Sequence, residues 1–273
     1  MKALFAYILL VFWLIPFDSY AGGDLSPISA RNAGLCRSSV AVTGFWNIFN
    51  NQAGLAVITR PVAGISYESK FTISQLSNKS AAFAWPANFG VVGVDFNYFG
   101  YSLYNEMKVG LVYARAFGKY LRIGLQLDYL GISIGDGYGS KSNVTFELGV
   151  QSDITREITL GAYVFNPVRV KLADYGDERI PAVFRFGLAW HFSRNFFATA
   201  EAEKNSYYPK VIIRGGLEYN LKERFVFRTG FSSGEELFSF GFGFYIKGLQ
   251  FDLAAIMHQT LGFSPQASLS YSF

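Results

Sequence analysis

At 273 residues, with 51% apolar and only 16% charged side chains, the chain is too apolar to be a disordered segment or a linker. Its net charge of +4 comes from Lys and Arg scattered singly, with no basic run or nucleic-acid module, so no nucleic-acid partner is expected. Aromatics reach 18%, with 28 Phe, 17 Tyr and 28 Gly. This suits a transmembrane barrel, whose interfaces carry aromatic girdles and whose crowded inner wall needs small residues.

Residues 1–21 read as a secretory signal. Lys2 supplies the positive start, residues 4–15 the apolar stretch, and Ser19-Tyr20-Ala21 a small-x-small cleavage site before Gly22. That apolar run is shorter than the ~20 residues of a spanning helix. Nothing later approaches one, so a membrane would have to be crossed by strands. The single cysteine, Cys36, excludes an intramolecular disulfide and a Cys-based metal site, and reads as a small buried residue.

Residues 22–60 differ in character from the remainder of the chain. Ser29-Ala30-Arg31-Asn32-Ala33-Gly34 leads into Ser38-Ser39-Val40-Ala41-Val42, and then Phe45-Trp46-Asn47-Ile48-Phe49-Asn50-Asn51-Gln52-Ala53-Gly54-Leu55-Ala56. Small residues, short helical possibilities and Asn/Gly turns predict a compact irregular segment rather than barrel wall.

This run resembles the N-terminal hatch of FadL-like outer-membrane barrels, particularly their PorV/PorQ-like branch, common in Bacteroidetes. The family usually has Asn-Pro-Ala in the hatch where this chain has Asn51-Gln52-Ala53, so the turn that Pro would fix is not fixed in that way. The resemblance implies a hatch centred on Asn50, Asn51, Gln52, Ala53 and Gly54.

Residues 61–273 are a run of amphipathic strands. Leu121, Ile123, Leu125, Leu127 and Tyr129 alternate with Arg122, Gly124, Gln126 and Asp128. Phe238, Phe240, Phe242 and Phe244 alternate with Ser239, Gly241 and Gly243. This period of two, repeated along the chain, predicts an all-β fold: a transmembrane antiparallel up-and-down barrel of about fourteen strands with a small N-terminal plug. The connections are expected to alternate short and longer, as short periplasmic turns and longer outer loops require. In the last stretch, 265–273, Ala267, Leu269, Tyr271 and Phe273 share one face. A final strand ending in Phe resembles the signal by which outer-membrane barrels are recognised for assembly, which assigns that role to Tyr271 and Phe273.

If the Phe/Leu/Tyr face meets lipid, the other face lines the lumen. It then carries Asp95, Arg122, Asp128, Glu147, Arg185, Arg214, Glu218, Arg228 and Asp252. Mixed signs predict ion-paired networks rather than an ion-selective ring.

His191 and His258, the only histidines, have no sequence-local ligand partner, and no nucleophile–base–orienter motif can be assembled. The Gly-rich run from Gly135 to Gly139 lies between strands without a following helix, so it is a loop and not a phosphate cradle. No enzyme, cofactor or metal is expected.

The resemblance implies an accessory, partner-binding subunit of an outer-membrane protein export or assembly machine, of type IX secretion kind. The alternative is a FadL-like passive transporter of hydrophobic small molecules. Expected partners are outer-membrane lipids, the barrel assembly machinery and a larger outer-membrane complex. The expected location is the outer membrane, with both termini periplasmic.

Overall fold

The computed structural model describes residues 27–135, 139–171, 179–234 and 236–273. The expected signal, 1–21, lies outside them, as do residues 22–26 and parts of three connections, at 136–138, 172–178 and 235.

Fourteen strands form one closed antiparallel ring. They are β1 (Val62–Ser69), β2 (Ser77–Ala87), β3 (Gly90–Tyr101), β4 (Tyr104–Phe117), β5 (Leu121–Ile134), β6 (Gly139–Asp153) and β7 (Ile158–Phe165), followed by β8 (Val183–His191), β9 (Phe196–Asn205), β10 (Ile212–Leu221), β11 (Phe225–Ser232), β12 (Glu236–Ile246), β13 (Leu249–His258) and β14 (Gly262–Ser272). Each pairs with its sequence neighbour, and β1 closes on β14 with Val62 opposite Ser272 and Tyr67 opposite Ala267. Closure leaves no strand edge unpaired, the condition for a sheet to sit in hydrocarbon.

The alternation sets inside against outside. On β5, Leu125 and Leu127 are 47% and 52% exposed, while Gln126 and Asp128 are fully buried. The outer surface is a belt of such apolar residues, from Ile65 and Phe83 through Phe186, Phe227 and Phe240 to Leu269. Apolar on this scale and continuous round the ring, it fits a hydrocarbon environment. Among the described residues no helix is long and apolar enough to span a membrane.

The expected rhythm of connections holds only in part. β1 and β2 are joined by residues 70–76, and β7 and β8 by residues 166–182, but β3 and β4 are joined by residues 102–103 alone. Tyr101 pairs with Tyr104 and His258 with Gly262, so these ladders run to their tips. The polarity of 101–105 and 259–264 belongs largely to strand ends and tight turns, not to long loops.

The segment before β1 lies in the lumen. It comprises helix α1 (Ala30–Gly34) and two 3₁₀ turns, Phe45–Phe49 and Gln52–Val57. Ser29 starts α1 by accepting the Asn32 backbone N–H at 3.3 Å, and Asn51 starts the second 3₁₀ turn by accepting that of Ala53 at 3.2 Å. One apolar cluster joins Phe45, Trp46, Ile48, Phe49 and Leu55 to the wall residues Val62, Ala82, Ala84, Val91, Val112 and Ala114. Burying each large side chain of this set contributes about 1.5–3 kcal/mol.

Candidate functional site: a hatch bonded round the barrel wall

Close approach comes first. At Gly124 and Gly149 a Cβ would run into Gln52 and Asn51 respectively, so glycine on the inner wall makes room for the hatch backbone. With that contact made, Asn51 donates through Nδ2 to the carbonyls of Val40 at 2.6 Å, Ala162 at 3.2 Å and Val150 at 3.4 Å. Gln52 donates through Nε2 to Gln126 Oε1 at 2.8 Å and to the Glu147 carboxylate. Gln151 reaches in from β6 and donates to the carbonyls of Val40 (3.0 Å) and Val42 (2.8 Å). Gln52 thus ties its turn to the wall through its side chain.

Of the other expected hatch residues, Asn50 works within the plug. Its Nδ2 donates to the Trp46 carbonyl at 2.7 Å, and its Oδ1 accepts the Ile28 N–H at 2.9 Å. Ala53 and Gly54 are buried, and the Gly54 carbonyl accepts from Gly44 N–H at 3.1 Å.

Around the rest of the ring the bonds are ionic. Arg37 is 1% exposed and donates to Glu68 of β1 at 2.7 Å, to Glu236 of β12 at 2.9 Å and to the Pro27 carbonyl at 2.9 Å. Burial alone would depress its pKa, but the two carboxylates outweigh burial and hold the guanidinium more firmly protonated than usual. Arg31 binds both oxygens of Glu218 at 3.2 and 3.3 Å and is likewise raised: burial lowers it, and Glu218 more than compensates. One oxygen of Glu201 accepts the backbone N–H groups of Ser39 and Val40, both at 2.8 Å. Cys36, buried, donates to the Glu236 carbonyl at 3.8 Å. Burial first and the Glu236 charge second push its thiol up to about 11.

All nine expected lumenal charges face inward and are buried. Glu147 and Glu218 touch the hatch directly, through Gln52 and Arg31. Arg228 holds Glu218 at 2.6 Å and Asp252 at 2.7 Å. Arg185 and Arg214 hold Glu203 at 2.7 and 2.8 Å. Lys108 sits between Glu147 at 2.6 Å and Asp128 at 3.8 Å, with Asp95 on the adjacent strand. Arg122 stands apart from the hatch bonds and pairs with Asp153 at 2.6 Å near the end where β1 begins and β14 finishes.

Sequence reasoning missed Arg31, Arg37, Glu68, Lys108, Glu201, Glu203 and Glu236. Strand parity could have found Glu201 and Glu203, which alternate with Ala200 and Ala202. Nothing local marks Arg37 as the partner of two distant strands.

Two spaces adjoin this assembly. One, of about 490 Å³, lies at the end where β1 begins, between the hatch (Ala41, Thr43, Val57) and the wall (Tyr120, Arg122, Asp153, His191). His191 lies here, its ring 5.0 Å from Phe197. The other, of about 580 Å³, is an apolar groove on the outer wall over Leu148, Val164, Phe184 and Phe186. No three His, Cys, Asp or Glu side chains among the described residues are placed to hold a metal.

No known protein family and no curated protein matches the chain by sequence. Solved structures do match. A structure titled CymD monoaromatic hydrocarbon channel superposes with a TM-score of 0.73 at 12% identity, covering 92% of this chain and 99% of that one. The toluene transporter TbuX of Ralstonia pickettii gives 0.70 at 12% identity, covering 92% and 99%. A FadL homologue of Pseudomonas aeruginosa gives 0.66 at 11% identity, covering 90% and 98%. None of these points to the PorV/PorQ-like branch that the hatch motif resembles. The chain shares its fourteen-stranded barrel fold with the FadL-type outer-membrane channels.

Proposed function

We propose that the protein is a passive outer-membrane channel for small hydrophobic molecules, with the hatch as its gate. The observation that carries this reading is the hatch itself, held inside a closed ring by discrete polar bonds to the wall. Such a plug blocks water and solutes at rest, and it can shift by exchanging a few hydrogen bonds without unfolding the barrel. The similar structures titled as hydrocarbon channels and toluene transporters support the same choice. In this reading permeant leaves through the space of about 490 Å³ beside Thr43 and Val57. Both termini face the periplasm, and Tyr271 and Phe273 present the final strand to the assembly machinery.

Ser239 donates to the Gly34 carbonyl at 3.0 Å, and a Cβ on its cross-strand partner Gly230 would run into Cys36, so Ser239 borders the turn that carries the thiol. A Ser239→Cys variant therefore offers a disulfide between hatch and β12 on oxidation. Uptake of radiolabelled toluene is measured in cells without other hydrocarbon channels, with and without reductant. Uptake above that of cells lacking the protein, lost on oxidation and restored by reductant, is the expected result. Uptake equal to that of cells lacking the protein sinks the reading.

A second reading, an accessory subunit of a protein export machine, is favoured by one observation. The two-residue β3–β4 turn and three-residue β13–β14 turn, at the rim opposite the start of β1, are too short to wall a capture groove themselves. Co-purification of a stoichiometric large outer-membrane partner in mild detergent would move the assignment there.

A further inference from the structure

Six hairpin turns lie at the end of the barrel where the chain enters β1 and leaves β14, and backbone bonds stitch this end into one rim. Phe273 N–H donates to Pro61, Ser272 to Gly248, Tyr245 to Arg224, Asn220 to Asn195, His191 to Glu157 and Asp153 to Tyr120. Five of these turns carry an exposed cation: Lys119, Arg156, Arg194, Lys222 with Arg224, and Lys247, with Arg60 at the entry to β1. The carboxylate side chains in the same turns are Glu157 and Glu223. Among the described residues none of the seven cations is in an ion pair, whereas the buried arginines of the lumen are paired. The surplus charge is therefore not part of the hatch networks.

Directly inside this ring, on the lipid-facing surface, stand paired aromatics. Trp190 and Phe192 are 4.0 Å apart, Phe225 and Phe244 5.3 Å, and Tyr271 and Phe273 5.1 Å between ring centroids. Arg115, on the outward face, folds over Phe117 at 5.6 Å, so its charge stays near the rim while its stem lies on apolar surface. Aromatic rings at headgroup depth with cations immediately beyond them form the layout that meets an anionic leaflet.

We infer that this basic rim binds the phosphate groups of anionic phospholipids in the leaflet it borders. The inference rests on the membrane-barrel reading but is independent of what, if anything, crosses the barrel. The occupant is a lipid rather than a soluble acidic partner because the cations form a ring that borders an aromatic belt. A protein-binding surface would gather them on one flank.

The test reconstitutes the full-length protein from detergent with equal amounts of phosphatidylglycerol and phosphatidylethanolamine. Retained lipids are counted by native mass spectrometry. Heat-modifiable migration confirms that the barrel is folded, and co-flotation with the vesicles that it is inserted. The wild type is expected to retain phosphatidylglycerol about fivefold or more over phosphatidylethanolamine, each rim cation near a leaflet contributing on that scale. A variant combining Arg194→Gln, Lys222→Gln, Arg224→Gln and Lys247→Gln should lose most of this preference, and Lys79→Gln with Lys210→Gln at the opposite end should keep it. Equal retention of the two lipids by an inserted wild type overturns the inference and leaves the barrel reading standing. So does a preference that survives the fourfold variant or falls equally in the opposite-end variant. Failure to insert at all overturns both.

Discussion

Arg37 and Glu68, thirty-one positions apart in sequence, meet at 2.7 Å with their side chains 1% and 6% exposed, one on the hatch and the other on the first strand of the wall. A buried pair of this kind is worth little against an apolar replacement of both partners, but removing one partner leaves a charge in a place water cannot reach. Arg37 also answers for Glu236, which shares the same guanidinium and is 26% exposed.

Arg37→Ala therefore destabilises hatch seating by about 3–5 kcal/mol while leaving the barrel closed. Limited proteolysis should cut within residues 27–58 in the variant and spare them in the wild type, with heat-modifiable migration unchanged. Arg37→Lys restores charge but not the fork that reaches both carboxylates, and should fall between the two.

Cys36 reports on hatch position without an engineered thiol. Its thiol is buried and raised to about 11, so maleimide labelling of the closed state stays slow through pH 9, although an unperturbed thiol ionises near 8.5. Because the seated thiol holds its proton more tightly than the released one, protonated Cys36 contributes to seating fully below the unfolded value of about 8.5. This contribution is lost as pH rises through about 11. Labelling faster than expected from thiolate fraction, appearing as pH climbs above 9, would mark release of the hatch.

Gln52→Pro restores the turn residue usual in the resembled hatches and removes the amide that bonds Gln126 and Glu147. Proline suits the first position of a short helical turn. The loss is at the wall, where the Glu147 carboxylate loses a donor at a cost of about 1–3 kcal/mol. Cys36 labelling should accelerate in the variant, and Gln52→Glu, which sets a second carboxylate against Glu147, should accelerate it further.

Gly149→Leu places a side chain where Asn51 sits, and Gly124→Val places one against the backbone of Gln52 and Ala53. Both should displace the hatch without opening the ring, again read as faster Cys36 labelling. Gly131→Ala, whose added carbon meets only ordinary contacts at 3.7 Å, is the control and should label like the wild type.

The barrel was legible because its code is local. Leu125 and Gln126 differ in burial as their neighbours two positions away do, and that alternation can be read with no knowledge of what pairs with what. Inner charges such as Glu218 and Arg228 came from the same parity. The rhythm of connections was legible only in part, since polar residues at 101–105 belong as readily to a strand end as to a loop. The hatch contacts were not legible. That Asn51 and Gln52 would bond a wall could be expected from their amides, but not that the wall would be Ala162 and Gln126. The Arg37 bridge depends on the path of an irregular segment through three dimensions. The functional expectation drawn from the hatch motif favoured a protein-export role, whereas the structural likeness to solved structures speaks for the fold.

The pairing of Val62 with Ser272 has a consequence for how the molecule is made. The first and last strands are the most distant in sequence and adjacent in space, so the seam between them carries the longest loop of any contact in the ring. The hatch is tethered directly ahead of that seam. Zipping the seam shut encloses a segment whose apolar faces and arginines need the surrounding wall to be satisfied. Order of events matters for such a topology: once the ring has closed there is no strand edge to pass, and a segment left outside has to enter by the mouth beside Pro61.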